Sequence, residues 1–177
     1  MTLATHAVVG GAAASLFPSH PVMAFLVGFS SHFVLDAIPH WDYKILSKFA
    51  NSDLAMAANA HGSKVSRTLK ADRYFIYDLL RIGSDALLGF LIILLAWYPV
   101  LDANWKILVL GAIGGILPDF LQFVYMRWPY QPMVALQKFH LYIHARFRLN
   151  DRPVIGVLSQ MLVIAVTLFA AKYLVGF

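Results

Sequence analysis

The run Ser31 to Asp42, SHFVLDAIPHWD, places His32, Asp36, His40 and Asp42 within eleven positions of an apolar chain that has no cysteine and no glutamate. In a helix reaching about residue 37, His32 and Asp36 lie four apart, on one face and one turn above each other, so they could share an ion. Pro39 disfavours a helical Ile38 and ends the helix there. His40 and Asp42 can then turn back toward the same point. Imidazole together with carboxylate suits zinc first, with manganese or iron as alternatives. Any carboxylate base must be an aspartate, and Asp42 and Asp85 are the candidates, although ligand and base roles do not separate at this level.

Further ligand types recur at intervals. His6 stands near the start of the chain, Asp85 follows Ser84, and Asp119 follows Pro118. His140 and His144 are again four apart in FHLYIH, the spacing of a helical metal clip, although Lys138, Arg146 and Arg148 beside them suit an interfacial basic helix equally. The other readings are bland: a helix–helix hydrogen bond for His32 and Asp36, an N-cap for Asp42 or Asp85, an anchor of the first helix for His6, and a post-proline turn for Asp119. Nine potential ligands are more than one ion needs, so one or two divalent ions are expected.

The elements that carry these residues belong to a membrane. The 177 residues are 60% hydrophobic and 13% charged, with mean hydropathy +0.68, far from a soluble mixture. Stretches 20–38, 84–99, 105–126 and 154–175 read as spans, and 5–17 as a shorter retained helix with no basic residue before it. The expected fold is all-α: a polytopic membrane helical bundle of about five spans in one membrane-embedded domain, 1–177. Its parts are a first hairpin (1–42), a cytoplasmic or interfacial segment (43–83), a second hairpin (84–126), a cytoplasmic loop (127–153) and a last span (154–177). Twelve of the 14 basic residues fall in 43–83 and 127–153, which predicts N-in, C-out, with the ligands on the cytoplasmic side. The net charge of +5 then serves anionic headgroups and calls for no nucleic acid.

A shift of 79 residues lays Thr5-His6 on Ser84-Asp85 and Pro39-His40 on Pro118-Asp119, which predicts two pseudo-repeated hairpins. Between them, 45–60 and 64–80 mix apolar and basic positions like interfacial helices and could form a lid. Gly111-x-x-x-Gly115 offers a small surface for close helix contact.

With these residues in view, His6, then Ser31-His32-x-x-Leu35-Asp36-x-x-Pro39-His40-x-Asp42, then Leu117-Pro118-Asp119, the chain resembles the YdjM-like family of bacterial inner-membrane, predicted metal-dependent hydrolases. The spacing is also similar to the His-x-x-x-Asp of zinc-dependent phospholipase C. The resemblance covers most of residues 1–125 and implies an all-helical inner-membrane protein with a hydrolytic metal centre. The family often carries Arg-Gly-x-Thr-His-Ser before the third helix; here Arg81-Ile82-Gly83-Ser84-Asp85-Ala86 stands there, with Asp85 in place of the histidine.

The expected function is therefore hydrolysis at the cytoplasmic membrane face, on a lipid or phosphoester, in the manner of a phospholipase or phosphatase. Arg81, Arg146 and Arg148 would neutralise a phosphate. The alternative is a metal-binding membrane protein without turnover, a transporter or a scaffold or adaptor. A transporter calls for polar groups along a path across the bilayer, and residues 90–98 and 160–171 offer few.

Overall fold

The computed structural model describes residues 1–43, 46, 73–97, 105–127, 130–147 and 149–176. Among these every regular element is a helix: α1 (Leu3–Ala14), α2 (Pro21–Asp36), α3 (Arg73–Trp97), α4 (Trp105–Arg127), α5 (Met133–Ile143) and α6 (Pro153–Val175). Three are long and apolar enough to cross a membrane, over Phe75–Trp97, Trp105–Tyr125 and Pro153–Val175, as a helical membrane protein requires. At 12 and 16 residues, α1 and α2 fall short of the roughly 20 that a full span takes. Of the five spans expected, three are full length and two are shorter apolar helices.

The first helix is the centre. Eleven residues of α1 are buried, because α2, α3, α4 and α6 all pack against it. A helix apolar on every side suits such enclosure, or lipid. Its buried N-terminus cannot leave amides without partners. Asp85 of α3 accepts from Leu3 N at 2.6 Å and from Ala4 N at 3.3 Å, Thr2 Oγ1 accepts from Thr5 N, and Thr2 O accepts from His6 N. The carboxylate also complements the positive end of the helix dipole. At Gly115 of α4 a Cβ would overlap the carbonyl oxygen of His6, so only glycine permits this approach of α1 to α4. The Gly111-x-x-x-Gly115 surface is used as its spacing implies.

α2 begins with Pro21 in its first turn and ends at Asp36, before Pro39, as the proline requires. The irregular segment that follows is held by the chain beyond α5: Ala145 N donates to Asp36 O, Leu149 N to His40 O, and Asp42 N to Asn150 Oδ1.

Two boundaries differ from expectation, and with them the matched hairpins. α3 starts at Arg73 rather than near residue 84, so Asp85 lies mid-helix while His6 lies at a helix start. The polar Asp78, Arg81 and Asp85 form one stripe of α3, with Asp78 fully buried and Leu80, Leu87, Leu91 and Leu95 facing outward, so the dip in hydropathy marks an inward face and not a break. α4 likewise continues through Pro118, where Pro39 ends α2. The expected interfacial helices over 45–60 and 64–80 lie outside the described residues, apart from Leu46 and the stretch of α3 from Arg73.

Candidate metal centre

Four imidazoles surround one carboxylate. Asp36, 1% exposed at the end of α2, has Oδ2 at 2.8 Å from His140 Nε2 and 3.1 Å from His32 Nε2, while Oδ1 is 3.3 Å from His6 Nε2 and 3.7 Å from His40 Nε2. Two ligand groups follow, each with one donor atom per residue gathered within 4.8 Å: His32, Asp36, Asp119 and His140, and Asp36, His40 and His144. Asp36 belongs to both. In the first, Asp119 Oδ1 of α4 lies 3.8 Å from His32 Nε2 and from His140 Nε2. Beside the second, Asp42 Oδ1 is 3.1 Å from His40 Nε2, and Asp42 Oδ2 is 3.7 Å from His144 Nε2.

Backbone contacts fix the rings. His32 Nδ1 donates to Gly115 O at 2.8 Å, and His40 Nδ1 donates to Ile38 O at 2.7 Å. A carbonyl only accepts, so Nδ1 carries the proton in both rings and a neutral ring turns a bare Nε2 lone pair toward the carboxylates. A lone pair facing a carboxylate oxygen at these distances needs a cation, either a second ring proton or a metal ion. Protonating every imidazole would crowd several charges into a buried pocket around one carboxylate, whereas a metal ion takes them neutral.

Unsatisfied atoms point the same way. His6 Nδ1 and Nε2, Asp36 Oδ1 and His40 Nε2 are buried without a hydrogen bond, at a cost a protein rarely bears without use. His6 lies stacked on His32, with ring centroids 4.1 Å apart. These donors fit a divalent ion of the zinc type, in number and in kind. Among the described residues, Asp119, Asp42 and His144 are the part-exposed members of the cluster, at 28%, 23% and 12%, and the remaining ligands are 3% exposed or less.

Burial pushes the Asp42 carboxyl up, but His40 and the Met1 ammonium, 2.6 Å from Oδ1, outweigh it and hold the group well below the usual carboxylate range. Burial, with Asp85 and Asp119 nearby, pushes the Tyr43 hydroxyl above its ordinary value, against the opposing Arg81, whose guanidinium lies 4.8 Å from the centre of the Tyr43 ring.

Of the nine expected ligands, His32, Asp36, His40, Asp119, His140 and His144 fall into the two groups, and His6 and Asp42 touch them. Asp85 does not. Its Oδ2 is taken by the α1 amides, which makes it a cap, though of α1 rather than of its own helix. His140 is the inward residue of the last turn of α5, and His144 is the first residue past that helix; their rings stack at 5.9 Å. Arg148 lies outside the described residues.

Sequence reasoning passed over Gln160, which it counted among the sparse polar groups of the last span. Buried in α6, Gln160 accepts from Thr2 N at 3.0 Å and from Thr5 Oγ1, and donates from Nε2 to Trp41 O at 2.8 Å, in the middle of the His40–Asp42 segment. One turn earlier, Gly156 leaves room for Trp41, whose Cβ a side chain there would overlap. A lone amide on an otherwise apolar span was the available signal.

Among the described residues the molecule is thus a helical protein with three span-length helices and a buried histidine–aspartate cluster able to hold metal, gathered at one end of the bundle. No protein-family model matches the chain, and neither a curated protein nor a solved structure matches it.

Proposed function

We propose that this protein is an integral membrane, metal-dependent hydrolase of the YdjM-like kind, acting at the cytoplasmic face of a bacterial inner membrane on a lipid or phosphoester. The observation that carries the reading is the pair of ligand groups joined through Asp36, one carboxylate oxygen toward each, as in sites that hold two ions. Zinc is the preferred metal, on the imidazole-rich donor set. His32, His140 and Asp119 would hold one ion and His40 and His144 the other, with Asp36 between. When bound, such ions supply Lewis acidity and bring the pKa of water near neutrality.

The residues of the chain do the rest. His32 and His40 keep their Nε2 atoms aimed inward through the bonds to Gly115 and Ile38. The buried wall of His6, His32 and His140 excludes water from one side of Asp36. Asp42, part-exposed and 3.1 Å from His40 Nε2, is the proton acceptor of the reading. Arg81 on Tyr43 and the exposed Arg146 offer positive charge for a phosphate.

The test is turnover of phospholipids and soluble phosphoesters by detergent-purified protein. Hydrolysis abolished by chelation, restored by zinc and lost in Asp36→Ala supports the reading. Stoichiometric metal with no turnover on any such ester leaves a metal-binding protein without catalysis.

A further inference from the structure

Helix α5 has two faces with different tasks. Its inner face brings His140 against Asp36, and just past its end His144 meets Asp42 and His40. Its outer face carries Lys138, Phe139 and Tyr142, all exposed, the last 87% so, and beyond the helix Arg146 and Phe147 are exposed too. Within α5, Lys138 and Tyr142 stand four apart opposite His140 with Phe139 beside them, and Arg146 and Phe147 add a cation and a ring on the chain that follows. Water alone would be a poor surrounding for such a face.

The connections of α5 place it. It lies between α4 and α6, both of span length, and is tied to α4 by the Gln137–Gln122 hydrogen bond at 3.3 Å. Residues 127–153 hold five basic residues and one acidic. Aromatic rings with lysine and arginine on a helix held at a membrane surface match the headgroup layer, where rings sit at the acyl boundary and cations meet phosphate. Few other contacts fix α5: it packs on α4 and α2, and the chain after it is pinned by the bonds from Ala145 N to Asp36 O and from Leu149 N to His40 O.

We propose that the outer face of α5 binds anionic phospholipid headgroups of the leaflet at the site end of the bundle, and that this contact sets His140 and His144 against Asp36. The second part rests on the metal-centre reading above. The centre then binds its ions more tightly on an anionic membrane surface, and its substrate is drawn from that layer.

Because the chain has no cysteine, a single introduced one reports on α5 alone. Tyr142→Cys, or Phe147→Cys should the first fold poorly, is labelled with an environment-sensitive fluorophore in nanodiscs of phosphatidylcholine, with and without phosphatidylglycerol. Zinc affinity is measured in the same discs with unlabelled protein, and His32→Ala/Asp36→Ala reports ion accumulation at the charged surface. The expected result is quenching by headgroup-depth spin-labelled lipid that rises with phosphatidylglycerol and is lost in Lys138→Glu/Arg146→Glu. Site-specific zinc binding should tighten in parallel by roughly tenfold, the order two cations at a charged interface supply. A label open to aqueous iodide in both discs overturns the proposal. Quenching with equal zinc affinity in both discs overturns the coupling. Quenching with no zinc binding in any disc sinks the metal reading and leaves the lipid surface standing.

Discussion

The two ligand groups share Asp36 but are built from different material. His32, Asp119 and His140 stand on α2, α4 and α5, and the ring of His32 is locked to a carbonyl in the glycine-lined contact of α4. His40, Asp42 and His144 lie on irregular chain, held by the bonds from His40 to Ile38 O, from Leu149 N to His40 O, from Asp42 N to Asn150 and from Gln160 to Trp41 O. Helix-borne ligands inherit the rigidity of packed elements. Ligands on connecting chain depend on each bond that fastens it. The first group should therefore bind tightly and tolerate little change in packing, and the second should be the weaker and more adjustable.

The sharpest break in that comparison comes from the ligands themselves. His32→Ala and His40→Ala should each lower zinc by one equivalent per chain, and titration should show the tighter class lost in the first and the weaker class lost in the second. One class lost in both would mean a single site.

A smaller effect is expected from Gly115→Ala. The added methyl meets the His6 carbonyl oxygen, and overpacking of this kind costs about 1–3 kcal/mol. Thermal unfolding in detergent should shift down, and zinc should leave the His32 group before the His40 group. Unchanged unfolding would show that α1 and α4 separate freely.

Gln160→Leu tests the other side. It removes the donor to Trp41 O and the acceptor for Thr2 N, groups whose loss costs roughly 1–3 kcal/mol where nothing replaces them. Weaker zinc binding confined to the His40 group is expected, with Gln160→Glu intermediate because it keeps the acceptor alone. Equal weakening of both groups would mean that the fold, not the segment, was disturbed.

The pattern of the comparison also decides what the sequence could reveal. The 31–42 string was legible because helix period and proline rules act locally: His32 above Asp36, and a stop before Pro39, follow from neighbours alone. His140 and His144 were legible by the same spacing. Asp85 could be read either as a ligand or as a cap because its partners, the amides of Leu3 and Ala4, are 82 and 81 positions away, and no local rule tells a cap of another helix from a ligand. α4 runs through Pro118 because packing against α1 and α2 holds it, a tertiary effect that overrides a correct local rule. Gln160 escaped notice because its partners Thr2, Thr5 and Trp41 are 158, 155 and 119 positions away, beyond any local rule.

The most direct test of the shared centre is metal content per chain by elemental mass spectrometry, on detergent-purified protein reloaded with zinc, wild type beside His32→Ala/Asp36→Ala. Two equivalents in the wild type, falling to none in the double substitution, are predicted. No metal in the reloaded wild type, or metal that survives the loss of Asp36, would contradict the account.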